Sequence, residues 1–408
     1  MNLATFSNFF FNIGIMLMFV LPLFPAKFRP IIIGFFSLGV VLSFIVAKER
    51  FNVKRFILNG SIYLFIVFSL LYSENVEYAV KKLESMSSLI IFSIIFSIFP
   101  SHKLQNLYNN RHLYMFVYVI AIAVMNLSFF AYHFGHYKST LITHYLTVTD
   151  TAQGGYNIHP IYLSMHICVA IIFSWFLLKK ANKHKAIILI SINIVLVFFL
   201  LILLKKGPII GLGIAFTVFV LFQKTKKWWI IYLSILVISI FSIMSIPKLK
   251  FKFAEVFKIE NIEGGKITSS NIRYSIYGFA KETIIKSPII GHGIGDYRDE
   301  LIETYKDSPL LYQGKYNSHN QYLSFLISIG IVGLVLFVIM LSYNFILAII
   351  NNNLELILLL IFYCFVMSFE NILEREDGVL YFCFFIGMFS LFSGIEKHRN
   401  GLDIETIE

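Results

Sequence analysis

A few polar residues stand where apolar neighbours make them costly, and their chemistry is anion binding and proton transfer. Lys205 and Lys206 close a long apolar run and directly precede Gly207-Pro208, which opens the next. Such a pair either snorkels to a membrane interface or offers point charges to a phosphate. Arg273 belongs to a stretch in which Ile272, Ile276, Phe279, Ile284 and Ile285 recur near helical spacing before Pro288. There its guanidinium is either a solvated charge or a fork for phosphate oxygens. His319 lies within Ser318-x-x-Gln321, the form of a capping box, which predicts the imidazole in the first turn of the following helix. A helix N-terminus disfavours imidazolium, so the ring there stays able to accept a proton; the alternative is a polar interface residue. Glu370 and Glu374 share a face at i,i+4 spacing beside Arg375, suited either to orienting a basic group or to a direct role. His159-Pro160 reads as the start of a helix with Pro near its first position.

Other clusters carry less. Of eleven histidines, His133, His136, His144, His159 and His166 fall close together, but their spacing matches no zinc signature, and the expected chemistry is metal-independent. Gly291, Gly293 and Gly295 form a G-x-G-x-G without a preceding soluble strand, which argues against dinucleotide binding and for a turn into a helix beginning at Asp296, with Tyr297, Leu301 and Tyr305 on one face. Cys168, Cys364 and Cys383 lie in apolar runs and read as packing residues.

The elements that must position these groups are membrane helices. Of the 408 residues, 58% are apolar, 17% aromatic and only 14% charged, with mean hydropathy +0.76. Too few polar groups exist to cover that apolar surface with water-facing side chains, which excludes soluble enzymes, disordered chains and nucleic-acid readers despite the net charge of +11. Runs at 8–24, 30–46, 56–72, 87–99, 113–134, 160–178, 186–204, 208–222, 228–246, 321–341, 354–369 and 379–393 predict about twelve transmembrane helices in a single membrane domain, 1–408. No cleaved signal segment is expected, the first run being the first span. Basic clusters at Lys48, Arg50, Lys54 and Arg55, at Lys179, Lys180, Lys183 and Lys185, at Lys224, Lys226 and Lys227, and at Lys397 and Arg399 all fall on one side when the spans alternate. The positive-inside rule makes that side, and both termini, cytoplasmic. The connections 133–159 and 247–318 are then periplasmic, the second being large and partly helical, and long connections of this kind are usually functional.

With these residues placed, the chain from about His159 onward resembles the O-antigen ligase and O-antigen polymerase superfamily, especially versions from Bacteroidetes-type bacteria. His159-Pro-Ile-Tyr-Leu-Ser164 looks like the family's HPTYLS stretch. Lys205-Lys206-Gly207 stands where Ser-Arg or Ser-Lys and a small residue are common. Arg273 followed by Ser287-Pro-Ile-Ile-Gly-His-Gly-Ile-Gly-Asp296 is similar to an R…W…PxxGxGxGD run, with Tyr277 in place of the Trp. Ser318-His-Asn-Gln-Tyr-Leu-Ser324 with Gly330-Ile-Val-Gly333 resembles HNQYL…GIIG, and Glu370-Asn-Ile-Leu-Glu-Arg375 with Gly378 resembles ExxLERxxG.

The resemblance implies an all-α polytopic membrane glycosyltransferase of the GT-C type, inverting and without a cofactor, in the bacterial inner membrane with its active site on the periplasmic face. It would move a glycan from undecaprenyl diphosphate to a hydroxyl acceptor: lipid A–core for an O-antigen ligase, or a second lipid-linked glycan for a polymerase. His319 is the implied general base, with Arg273 also catalytic. Lys205, Lys206 and Arg273 would hold the diphosphate, and Asn320, Glu370, Arg375 and His159 would orient acceptor or imidazole. A polysaccharide or lipid transporter is the rival class. Transporters concentrate polar groups at the bilayer midplane, whereas here they gather at span ends.

Overall fold

The computed structural model describes residues 3–137, 158–255 and 267–399. Most of the histidine-bearing 133–159 connection, and residues 256–266 of the 247–318 connection, lie outside the described residues.

Every apolar run predicted as a span lies on a helix. In chain order the helices are α1 (Leu3–Val20), α2 (Arg29–Ala47), α3 (Val53–Phe68), α4 (Val76–Met86), α5 (Ser88–Ser97), α6 (Ser101–Asn109), α7 (Arg111–Tyr137), α8 (Pro160–Lys180), α9 (Lys183–Leu203), α10 (Lys206–Leu221), α11 (Lys226–Ser245), α12 (Pro247–Ala254), α13 (Ser269–Lys286), α14 (Tyr297–Glu303), α15 (Pro309–Gly314), α16 (Gln321–Ile350), α17 (Leu354–Met367) and α18 (Glu376–Arg399). No strand occurs among the described residues. Among the described residues, eight spans are long and apolar enough to cross a membrane unaided; α5 and α6, bent by 104° at their junction, make a ninth if counted as one, and α10 and α17 are shorter. The fold is an all-α polytopic membrane bundle.

Asparagine sets many of the starts. Asn52, Asn75, Asn182 and Asn353 each accept a hydrogen bond from the backbone N–H three residues on, satisfying a donor that the first helical turn leaves open. The central helix is α8. It is apolar on every side, and every residue from Pro160 to Leu177 is buried, as expected of a span surrounded by other helices. Consecutive helices α9 and α10 part company below their turn: α9 leans on α7 and α8, while α10 packs on α17, α8 and α11.

The bundle has two different ends. At one, Asn52 donates to Ser97, Glu49 accepts from Ser101, and Arg111 faces Glu355. At the other, the turns around residues 72–75, 204–206, 318–320 and 368–375 meet α4 and α12–α15, and this end holds the polar residues singled out above. One device fixes the second end. α16 is broken at Gly330 (φ 64°, ψ −166°), and the Pro288–Gly293 loop docks into the break. His292 and Gly293 N–H donate to the Ile327 and Ser328 carbonyls at 2.8 Å, while Ile331 and Val332 N–H donate to Pro288 and Ile289 carbonyls at 2.9 and 3.2 Å. A helix interrupted inside apolar surroundings must find other partners for its freed backbone groups, and this loop supplies them. A Cβ on Gly330 would come 2.2 Å from the Ile289 oxygen, and one on Gly291 2.5 Å from the Ile329 nitrogen, so both positions require glycine.

Asp296 does not cap its own helix as the sequence pattern suggests. Its side chain makes no bond to α14; the carboxylate instead accepts from the Glu74 and Asn75 N–H groups at 2.7 and 2.8 Å, at the start of α4.

Candidate active site

Three segments converge around a cavity of about 460 Å³. The α9–α10 turn, where Leu204 adopts φ 45°, presents Lys205 and Lys206. The face of α13 presents Ser269, Ser270, Arg273, Tyr274 and Tyr277, and Phe369 closes the wall beside Pro160. The N-cap Thr268, accepting from Asn271 N–H, starts α13 at the register that aims Arg273 and Tyr277 inward. Ile202, Leu203 and Ile210 continue the lining beside the α9–α10 turn, so one cavity joins the cations to apolar side chains.

His319 borders this cavity through Tyr277, whose hydroxyl lies 3.5 Å from the His319 carbonyl oxygen and donates to the Ser368 carbonyl at 3.1 Å. The capping-box expectation is corrected here. α16 is capped by Asn320, whose side-chain oxygen accepts from Tyr322 and Leu323 N–H at 2.9 and 3.1 Å. Ser318 instead donates toward Asn371 Oδ1 at 3.1 Å, and the Gln321 side chain accepts from Leu373 N–H at 2.8 Å. His319 therefore sits before the helix, not in its first turn. Its φ of 45° is left-handed, a conformation costing roughly 1–2 kcal/mol for a residue with a Cβ. The Asn317 side chain accepts from its N–H at 3.1 Å and helps hold this turn. Left-handed backbone at a polar turn is a recurring mark of functional sites.

The left-handed turn aims the ring at Glu370, with Nδ1 3.5 Å from Oε2. Glu370 is 7% exposed. Burial pushes its carboxyl up, but contact with the His319 imidazole and the charges of Arg273 and His159 outweigh burial and hold it below the usual 4.5. An ionised carboxylate at Nδ1 favours a proton on that nitrogen and leaves Nε2 as the basic position. Tyr277 lies in the same field. Burial raises its phenol above the usual range, partly opposed by Arg273 and a hydrogen bond with Asn320.

The i,i+4 face expected of Glu370 and Glu374 does not form, because residues 372–374 make a 3₁₀ turn and Arg375 is extended. The two carboxylates point to different partners. Glu374 accepts from Lys82 (3.2 Å), Tyr297 (2.7 Å), Asn371 (3.1 Å) and the Ser324 hydroxyl, binding α4, α14 and α16 to the 368–375 connection. For Lys82, the burial cost is outweighed by Glu374, and its ammonium is raised above the usual 10.5.

Thus Lys205, Lys206, Arg273, His319, Asn320, Glu370 and His159 come together. His159 caps α8, its Nδ1 3.4 Å from Ile161 N–H, and its charge reaches Glu370. Arg375 does not join them: it is exposed, outside the cavity lining, and its charge faces Asp377 and Tyr162. Sequence reasoning missed Lys252, Ser270 and Glu255. Lys206 Nζ donates to Glu255 Oε2 and Ser270 Oγ, both at 2.9 Å, and Lys252 lines the same cavity. The available signal was the run Lys248, Lys250, Lys252 and Glu255 just after a span.

Residues 191–338, from the middle of α9 through the Gly330 break of α16, match the family model described as O-Antigen ligase. Over this stretch the chain is similar to the O-antigen ligase family, which supports membership of that superfamily. The matched segment contains Lys205, Lys206, Arg273, the Gly291–Gly330 interlock and His319, while His159, Glu370 and Glu374 lie outside it and join the site through folding. No curated protein matches the chain.

Proposed function

We propose that this protein is an O-antigen ligase that transfers a glycan from a polyprenyl diphosphate, undecaprenyl diphosphate in a bacterial inner membrane, to a hydroxyl of a lipid A–core acceptor on the periplasmic face. What supports the reading is a cavity lined by Lys205, Lys206 and Arg273 and by apolar Ile202, Leu203 and Ile210, with His319 and the neighbouring Glu370 adjoining it through Tyr277. A prenyl chain fits against these apolar side chains, and its diphosphate then lies against Lys205, Lys206 and Arg273. The acceptor oxygen attacks the anomeric carbon, its proton passes to His319 Nε2, and the bond from that carbon to the diphosphate oxygen breaks. The electron pair leaves on polyprenyl diphosphate and the anomeric centre inverts. Charge growing on the leaving oxygen is met by preorganised cations, often the largest single contribution to such a reaction. Glu370 stabilises the imidazolium formed as the acceptor proton is taken. General-base assistance of this kind is worth about 10²–10⁴-fold.

The test is glycan transfer in cells lacking the chromosomal copy, complemented by wild type or His319→Ala and read by surface-glycan electrophoresis. Wild type is expected to restore attached glycan and His319→Ala to leave it on the carrier at normal protein levels. Near-wild-type attachment by His319→Ala removes the imidazole as base. Single-repeat products in the uncomplemented cells would point to a polymerase using the same donor, and donor translocation in acceptor-free liposomes to a transporter.

A further inference from the structure

The cavity holds a fourth cation that the reaction above does not use. Lys252, near the end of α12, lines it together with Lys205, Lys206 and Arg273. Three residues on, Glu255 is buried, with Oε2 2.9 Å from Lys206 Nζ and Oε1 3.8 Å from Lys252 Nζ. Ser270 Oγ completes the shell of the Lys206 ammonium at 2.9 Å. Converging ammonium and guanidinium groups in a partly buried space repel one another, so such a cluster needs an anion. Among the described residues, Glu255 is the carboxylate in hydrogen-bond contact with Lys206 and the one beside Lys252. Arg273 keeps unused capacity: Nη1 reaches only the Ser269 carbonyl at 3.4 Å, and its buried Nε has no partner among the described residues.

We propose that Lys252 is a further phosphate-binding residue of the donor site, and that Glu255 is an internal stand-in for the donor's anion. The carboxylate holds Lys206 and Lys252 until donor binds, when diphosphate oxygens displace it and take both lysines and Arg273. The inference rests on the donor assignment made above. It gives the site a threshold. A diphosphate carries enough charge and acceptor oxygens to compete with Glu255, whereas a monophosphate competes poorly, so Glu255 makes the site selective for the activated carrier over its spent monophosphate.

The full chain in nanodiscs is titrated with farnesyl diphosphate and farnesyl monophosphate. Glu255→Gln is expected to bind the diphosphate about fivefold tighter, the scale of one competing ion pair, and to narrow the preference over monophosphate. Lys252→Ala is expected to bind the diphosphate about fivefold more weakly. A zero-length carbodiimide cross-link between Lys206 and Glu255 in the unmodified protein, followed by peptide mass, needs no variant to fold; it is expected without ligand and lost at saturating farnesyl diphosphate. If wild type binds but Glu255→Gln binds no tighter, or the cross-link persists at saturation, the stand-in role is overturned while the donor assignment stands. Unchanged binding by Lys252→Ala removes that lysine. Failure of wild type to bind farnesyl diphosphate at all overturns the donor assignment, and this inference with it.

Discussion

Glu370→Gln is nearly isosteric and removes only the charge beside the His319 ring. At 3.5 Å, with an effective dielectric constant of about 20, an ionised carboxylate and an imidazolium attract by roughly 5 kcal/mol. His319 keeps 24% of its side chain exposed, and water screens part of this, leaving roughly 2–3 kcal/mol. In the proposed reaction the imidazolium forms as the acceptor proton moves, so the loss falls on the transition state. At about 1.4 kcal/mol per decade, turnover is expected to fall roughly 30- to 150-fold. The KM for donor is expected to change little, since the proposed donor contacts are the lysines and Arg273. The assay is transfer in proteoliposomes from a defined polyprenyl-diphosphate glycan, with kcat and KM fitted separately and folding checked by size-exclusion profile. A kcat within twofold of wild type, or a change confined to KM, would refute the reasoning that Glu370 serves the imidazole.

Three further outcomes follow from the geometry. Glu374→Ala strands Lys82 and removes the acceptor of Tyr297, Ser324 and Asn371, so thermal unfolding in detergent is expected to show a loss of about 3–5 kcal/mol, the scale of breaking a buried ion pair from one side. Gly330→Ala puts a Cβ 2.2 Å from the Ile289 oxygen at a left-handed φ, and is expected to give little monodisperse protein, whereas Gly213→Ala, with open space around it, is expected to behave as wild type in the same chromatographic assay. Because folding lowers the Glu370 pKa from its ordinary 4.5, its contribution to stability is complete above about pH 4.5 and lost as pH falls through the depressed value; the gap in melting temperature between wild type and Glu370→Gln is therefore expected to shrink on acidification toward pH 3.

Much of this arrangement is legible along the chain, because membrane spans announce themselves by long apolar runs and because charges at their ends are conspicuous. Lys206, Arg273 and His319 stand out for that reason. Local patterns mislead where the backbone departs from regular helix. Ser318-x-x-Gln321 has the spacing of a capping box, yet the left-handed turn at His319 hands the cap to Asn320 and sends Ser318 to Asn371. The i,i+4 reading of Glu370 and Glu374 assumes a helix that ends before them, at Met367. Glu255 and Lys252 acquire meaning only through α13, which follows them in the chain and brings Ser270 and Arg273 over the lysines, and no spacing rule encodes that meeting.

The docking of residues 288–293 into the break at Gly330 is made by main chain on main chain. Apart from its glycines, such a joint is indifferent to side-chain identity, so neighbouring surface residues can change without loosening the frame that carries the imidazole. Exposed positions behind this rivet, such as Asp299, Glu303, Lys306 and Asp307, are thus free to vary, while the buried Leu301, Tyr305 and Leu311 hold the stretch in place.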